Sequence, residues 1–388
     1  MRRAYKFRLY PTTGQAGRLA ACLADHRRLY NGALEERQGR WKWNREAVRY
    51  GDQSAQLRDI RAACPEQARW SFSSQQATLR RLNKAFDAFF RRVKAGQRPG
   101  YPRYRGEDRF DSVEWPKDGD GCRWRPDDAR VYLQGIGQVK VHAHRLVEGV
   151  VKTISVKREG RRFYLVLSCD NVPTRPLPAT GRQIGVDLGL ARFLTTSDGE
   201  AESNPRFVRR SEAELAAAQQ TLARKQRGSK NRRRAKAAVA AVHRRVRDRR
   251  NDFHHKVARR LVETCDAIGL EDLSVKNMSA GASGTLAEPG TNVAAKRGLN
   301  RSILDAGWAQ FASILAAKAE EAGGRLIQVN PRHTSQTCSQ CGHVDAGNRV
   351  TQAEFRCQRC GFTAHADQNA ACNIATRAGL GSGRANAA

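Results

Sequence analysis

The 388 residues carry 70 lysines and arginines against 38 aspartates and glutamates, a formal net charge of +32. Such an excess opposes compaction unless a polyanion neutralises it, so a nucleic-acid partner is the leading expectation. The chain has no run of eighteen apolar residues, its basic residues occur in every third of the sequence, and the opening MRRAYKFRLYP lacks the apolar core of a signal peptide. These features argue against a membrane or secreted protein and predict a cytoplasmic one with two or three domains.

In chain order, Ala4 to Tyr10 alternates as a strand that Pro11 ends. Thr12 or Thr13 caps a helix with Leu19, Leu23, Tyr30 and Leu34 on one face. Gln53 to Ala63 is predicted as a second helix stopped by Pro65, and Ser73 to Lys94 as a third, with Leu79, Leu82, Phe86, Phe89 and Val93 at helical spacing. Arg80 and Arg81 lie off that apolar face. They read either as a solvated surface or as phosphate contacts, and the global charge favours the second. In GQRPGYPRYR, Tyr101 and Arg103 put an aromatic among arginines, which suits base stacking with phosphate contact. From Val113 to Cys169 the texture changes to short strands with a hairpin turn at Glu159-Gly160, predicting a small β-barrel. The first strand joins it if the helical lobe is an insertion. The Pro-rich stretch Asn171 to Thr180 reads as a linker.

In the second half, Gln183 to Thr196 reads as two strands around a Gly189 turn, with Asp187 the only acid in an otherwise apolar run. A carboxylate there needs a metal, a cation or a proton. Glu202 to Glu263 is predicted helical and basic, broken at Gly228-Ser229; its Arg232, Arg233 and Arg234 are candidate phosphate contacts. Cys265 to Leu270 reads as a buried strand delivering Glu271 at its C-terminal end, where ligand groups collect in open α/β sheets. Ser279 to Gly298 is predicted as a mobile loop. Ser302 to Gly323 is predicted as a helix opened by a Ser302/Asp305 capping box, with Leu304, Trp308, Phe311 and Leu315 on its core face. A strand, Arg325 to Asn330, follows. Cys338, Cys341, Cys357 and Cys360 then form C-x2-C-x15-C-x2-C, a zinc-ribbon spacing. Four soft thiolates with no carboxylate or open position favour a structural Zn²⁺ over a catalytic one, and a disulfide staple is the weaker alternative, since C-x-x-C disulfides are mostly redox-active and no secretory signal is evident. The other cysteines are scattered, as buried apolar residues of a reducing cytosol. Asp367 heads a closing Ala-rich helix, where it either caps that helix or joins the other two acids.

This order of strands and helices brings Asp187, Glu271 and Asp367 to one sheet edge, as in an RNase H-like nuclease. Three such carboxylates need counter-charge, which two Mg²⁺ ions ~4 Å apart would supply during phosphodiester hydrolysis.

The segments YKFRLYP, HRRLYNGALEER, GYPRYR, IGVDLGL, RNDFHHK, LEDLSVKNM, the paired C-x2-C and ADQNAACNI resemble, in order along the whole chain, the TnpB family of transposon-encoded RNA-guided nucleases. That family is similar to the compact type V CRISPR effectors. The resemblance implies a multidomain α/β and β fold: an RNase H-like RuvC nuclease domain with an inserted zinc ribbon, and a wedge β-barrel with an inserted α-helical recognition lobe. The implied division is 1–12 and 100–172 for the wedge, 13–99 for the lobe, 173–182 for a linker, 183–331 and 363–378 for the nuclease, 332–362 for the ribbon and 379–388 for a disordered tail. It also implies Asp187, Glu271 and Asp367 as the acids that hold two catalytic Mg²⁺, and the four cysteines as zinc ligands. A guide RNA from the transposon end, double-stranded target DNA and a short flanking motif are the implied partners. The particle would be a monomer or weak dimer in a ribonucleoprotein, in a prokaryotic, nucleoid-associated setting. Where family members often carry an aspartate two residues before the last acid, this chain has His365. Asn369 could orient the scissile phosphate or cap a helix. Competing readings are a guided repressor that no longer cuts, a DDE-like transposase and a structural RNA-binding protein; the intact acids argue against the first and would be unexplained by the last.

Overall fold

The structure, a computed structural model, describes residues 1–285 and 288–380. Contacts divide the chain into two units, Met1–Pro173 and Thr174–Ala388, each built around its own apolar core.

The first unit starts with β1 (Arg3–Tyr10), whose Tyr5, Phe7 and Leu9 alternate into the core. Then come α1 (Thr13–Asn44), α2 (Tyr50–Ala55), α3 (Leu57–Ala63), α4 (Pro65–Ala68) and α5 (Phe72–Lys94). Thr12 opens α1 through a reciprocal capping box with Gln15, which satisfies two orphan amides at once. The single helix expected over Gln53 to Ala63 is two, separated at Gln56. Pro65, expected as a stop, is the first residue of α4, where its missing N–H costs nothing. The strands are β2 (Ser112–Trp115), β3 (Cys122–Arg125), β4 (Arg130–Leu133), β5 (Gly137–His142), β6 (Val150–Glu159) and β7 (Arg162–Asp170). They form one antiparallel sheet in the order β2-β6-β7-β1-β5-β4-β3, so β1 sits at its centre and the helices are an insertion between β1 and β2. Among the described residues β2 and β3 do not pair, so the expected barrel is a sheet with two end strands. The β6–β7 hairpin turns at Gly160, whose φ of +63° suits glycine.

The second unit runs β8 (Gln183–Leu188), β9 (Arg192–Thr196), β10 (Ala201–Ser203), α6 (Phe207–Arg210), α7 (Glu212–Ala223), α8 (Lys230–Thr264), β11 (Ala267–Glu271), α9 (Val275–Met278), α10 (Val293–Ala306), α11 (Trp308–Ala322), β12 (Arg325–Val329), β13 (Glu354–Arg356), β14 (Thr363–His365) and α12 (Ala366–Arg377). Its main sheet has the order β10-β9-β8-β11-β12; β8, β11 and β12 are parallel, and β9 and β10 return antiparallel. The helical stretch expected from Glu202 begins instead as β10. The expected break at Gly228-Ser229 is present, with Ser229 capping α8.

The helix expected from Ser302 differs most. α10 already starts at Val293, inside the stretch expected to be a loop, and Gly307 at φ +70° separates it from α11. No capping box forms. The Ser302 hydroxyl donates to Gly298 O within α10, and the Asp305 carboxylate accepts the Val208 amide at 3.0 Å, capping α6. Trp308, Phe311 and Leu315 are buried as expected, but Leu304 is 57% exposed, because the kink turns α10 away from α11's core face. The expected disordered tail starts too early: Leu380 is buried beside Ala267 and Ala375, and residues 381–388 lie outside the described residues. Among the described residues no helix is long and apolar enough to cross a membrane.

Candidate functional site

Two strand glycines position the site. Gly185 on β8 and Gly269 on β11 are cross-strand partners. A Cβ at Gly185 would lie 2.1 Å from Ala371 O and 2.5 Å from Ala375 N; one at Gly269 would lie 3.0 Å from Ala378 Cβ. Helix α12 therefore rests on a groove of bare backbone, and its facing residues Ala370, Ala371, Ile374 and Ala375 are buried. Glycine inside a strand marks such close approach. The contact brings the first turn of α12 to the end of β8, and with it Asp367 towards Asp187.

Asp187 sits in β8 opposite Thr195 of β9, Glu271 is the last residue of β11, and Asp367 is the second residue of α12. Burial pushes the Asp187 carboxyl up to about 7; the negative charges of Glu271 and Asp367 add to the rise, and Arg349 opposes it. Glu271 is also raised by burial, against the hydrogen bond it accepts from the Thr334 hydroxyl and the positive charge of Arg377. Asp367 has the Arg349 guanidinium 3.6 Å from its Oδ1. His365 caps α12: its Nδ1 accepts the Asp367 amide at 3.2 Å. Among the described residues no hydrogen-bond donor meets the Asp187 carboxylate. Such a site suits cations. An all-oxygen set fits hard divalent ions that keep part of their water. As they stand, however, the four cysteines, not the acids, are the described group gathered tightly enough to hold an ion.

The thiols of Cys338, Cys341, Cys357 and Cys360 all lie within 4.8 Å of one another, and no cysteine is in a disulfide. The two knuckles repeat one geometry. Cys338 N donates to His343 O and Gly342 N to Cys338 O; Cys357 N donates to Phe362 O and Gly361 N to Cys357 O. Gly342 (φ +75°) and Gly361 (φ +72°) make the left-handed turns that aim both sulfurs of each pair inward. This cluster can hold a structural Zn²⁺.

Three of the expected phosphate contacts are engaged inside the protein. Arg81 donates to Ser112 O and Oγ at 3.0 and 2.9 Å and lies over the Phe110 ring, so it ties α5 to β2. Arg232 donates to the carbonyls of Leu222 and Lys225 and closes the end of α7. Arg80 donates to the Tyr50 hydroxyl at 3.1 Å. Tyr101 is 43% exposed, with its ring against Phe86 and Phe89. Arg103, Arg233 and Arg234 are exposed. Asn369 neither caps a helix nor stands free: it grips the backbone around Cys338. Sequence reasoning missed Thr334, Arg349, Asn373 and Arg377. The glycines in IGVDLG and AIGLE were a usable signal, since glycine in an apolar strand predicts a close neighbour. Nothing local to Thr334 or Arg349 announced their partners, which are distant in sequence.

A cavity of about 510 Å³ opens beside the turn after β8, lined by Leu190, Asn204, Arg206, Arg209, Arg301 and Gln352. A smaller cleft of about 280 Å³ is lined by Leu188, Glu271 and Asp272.

Residues 165–281 match a family described as "Probable transposase", and residues 308–374 match a "Cas12f1-like, TNB domain". Residues 1–46 match a "Helix-turn-helix domain", although the structure there has one strand and one 32-residue helix. The chain is 33% identical over 373 residues to a protein of Escherichia coli (strain K12) named "Putative RNA-guided DNA endonuclease InsQ", covering 96% of this chain and 91% of that one. It is 34% identical to a Streptomyces pristinaespiralis protein named "Putative RNA-guided DNA endonuclease", covering 96% and 89%. Among solved structures, that of the "mini-RNA-guided endonuclease CRISPR-Cas_phi3" shares the fold with a TM-score of 0.50 at 10% identity, covering 98% of this chain and 92% of that one.

Proposed function

The chain belongs to the TnpB family, and from that premise we propose that it is the RNA-guided DNA endonuclease of a transposon. In this reading the second unit is an RNase H-like RuvC nuclease domain interrupted by the zinc ribbon, and the first unit is a wedge sheet carrying a recognition lobe. The observation that supports the reading is that Asp187 and Glu271 stand on neighbouring parallel strands while Asp367 heads the helix packed on the glycines of both, near enough for the charges of Glu271 and Asp367 to add to the rise that burial gives the Asp187 carboxyl. A structural acid would be met by donors; this one is met by acids.

Asp187, Glu271 and Asp367 would hold two Mg²⁺. Bound there, the ions would activate the attacking water and stabilise the leaving 3′-oxygen. The chain's own residues supply orientation. β8 and β11 fix two carboxylates on neighbouring strands, and His365 fixes the helix turn that carries the third. Arg349, on the ribbon, lies where it could pass from Asp367 to a phosphate oxygen once cations neutralise the acids. Arg206, Arg209 and Arg301 line the neighbouring cavity, and a single strand laid there would lead its backbone towards the turn after Asp187. Base pairing with a guide RNA supplies sequence selection, and the protein reads a short flanking motif and the shape of the hybrid. One site must load the two DNA strands in turn, so staggered ends are expected.

The test has two stages. RNA co-purified with the protein expressed beside its native flanking DNA is sequenced. A discrete RNA with a variable end then names a duplex for a Mg²⁺-dependent cleavage assay. Cleavage by the native chain, and its loss with retained binding in Asp187→Ala, is the expected result. The description "Probable transposase" favours a second reading, a DDE-like transposase using the same acids. Strand transfer without RNA would establish that one.

A further inference from the structure

Helix α12 carries Asp367, and the same helix carries a polar ladder at four-residue spacing: Asn369, Asn373 and Arg377. Asn369 and Asn373 are buried at 1% and 5% exposure. The ladder grips the segment that enters the zinc ribbon. Asn369 holds both sides of the first zinc-ligand cysteine: its Nδ2 donates to Thr337 O at 2.8 Å, and its Oδ1 accepts the Ser339 amide at 2.9 Å. Asn373 Nδ2 donates to Thr337 O at 2.6 Å and to Thr334 O at 2.9 Å. Arg377 donates to Asn330 O and Arg332 O at 3.0 and 2.6 Å. Thr334, itself buried at 3% exposure, donates its hydroxyl to the Glu271 carboxylate. The zinc centre and the acidic centre thus share one set of buried hydrogen bonds, running from Cys338 through Asn369 and Thr337 to Asn373, Thr334 and Glu271.

We infer that the zinc knuckle at Cys338 is a splint for the acidic site, and that Thr334 is the positioning residue through which it orients Glu271. The inference rests on the proposed function, because it concerns how the acids are held for divalent ions. The physical case is that Asn369 is matched to one carbonyl and one N–H, and Asn373 to two carbonyls, of a fixed turn. A turn released by loss of zinc has only those hydrogen bonds left to keep its position. Thr334 O is held by Asn373 and its hydroxyl by Glu271, so a shift of the 331–339 segment draws on the carboxylate directly. Outer residues that orient metal ligands typically cost 10- to 100-fold in affinity when removed.

The experiment measures Mn²⁺ binding to the full-length chain by calorimetry, with Asp187→Ala as the baseline for ions bound elsewhere, and zinc content in parallel. Thr334→Val is expected to bind Mn²⁺ at the acidic site about tenfold more weakly with zinc content unchanged, and Thr334→Ser to restore the affinity. Asn369→Ala is expected to release zinc faster to a chelator and to show the same weakened Mn²⁺ binding. Native affinity in Thr334→Val would overturn the inference while leaving the proposed function intact. If the native chain binds no more Mn²⁺ than Asp187→Ala, the proposed function fails and the inference with it. Should Thr334→Val not fold, the native protein stripped of zinc carries the test: Mn²⁺ affinity is expected to fall and to return when zinc is restored, and an unchanged affinity overturns the coupling.

Discussion

Two aspartates, one in each unit, show how differently a fold can treat the same side chain. Asp25 in α1 is surrounded by donors: Trp70 Nε1 at 2.9 Å, Arg69 at 3.0 Å and Arg28 at 2.8 Å. Its charge is answered within the unit, and it joins α1 to the turn before α5. Asp187 in β8 is surrounded by other acids and by burial, and the chain answers it with little more than Arg349. A buried acid met by donors belongs to the architecture; one met by acids is left for something from outside. The partners, not only the burial, separate the two: Asp25 is fully buried and Asp187 half-buried.

The largest effect tests the second half of that contrast. Asp187→Asn is expected to reduce Mg²⁺-dependent cleavage by at least about a thousandfold, in line with removing an essential active-site group, while the fold is retained. The same variant carries a pH signature. The folded-state pKa of Asp187 is raised, so between about pH 4 and about pH 7 the folded chain binds a proton that the unfolded chain has released, and stability falls as pH rises through that window. Relative to Asp187→Asn, the metal-free native chain should lose up to about 4 kcal/mol across it and then level off, a ceiling set by roughly three pKa units. Thermal melts of both proteins from pH 4 to 8 measure this, and parallel melting curves would refute the assignment.

The four-cysteine cluster supplies the next effect. Cys338→Ser is expected to lower zinc content and the melting temperature of the ribbon, read by metal analysis and calorimetry. Unchanged zinc and unchanged melting would mean that the four thiols hold no ion. Asp25→Asn tests the first half of the contrast. It leaves Trp70 Nε1 and two partly exposed arginines with a weaker acceptor, so denaturant unfolding should show a loss of about 2 kcal/mol. Cleavage per folded molecule should be unchanged. The smallest effect concerns charge at the surface. Replacing Arg233 and Arg234 with glutamine should reduce the slope of log affinity for nucleic acid against log salt by about two, whereas Arg81→Gln should lower stability with no change in slope. The reverse pattern would exchange the roles that their exposure gives them.

The legible parts of the sequence were those in which a residue announces its own surroundings. Asp187 in an apolar strand, Glu271 after a buried one and the paired C-x2-C each carry their context locally, and the structure finds them in those contexts. The basic helices were less legible, because charge alone cannot tell an arginine facing solvent from one whose guanidinium closes a neighbouring helix, as Arg232 does. The α10–α11 kink was missed for a related reason. Ser302 and Asp305 have capping chemistry, but Asp305 spends it on α6, nearly a hundred residues away in sequence. The ladder on α12 was invisible because Asn369 and Asn373 look like ordinary helix residues until the knuckle they hold is present.

Gly185 and Gly269 give the site its tolerance. Most sites owe their accuracy to atoms placed around them; in the candidate site part of it comes from two side chains that are missing. With Ala371 O only 2.1 Å from where a single methyl at position 185 would stand, that methyl would lift α12 off the sheet. Asp367 is one helical turn from Ala371 on the same rigid rod, so the lift would reach it almost undiminished. A substitution that adds no charge and removes no acid would therefore act on the candidate site as a shim acts on a hinge.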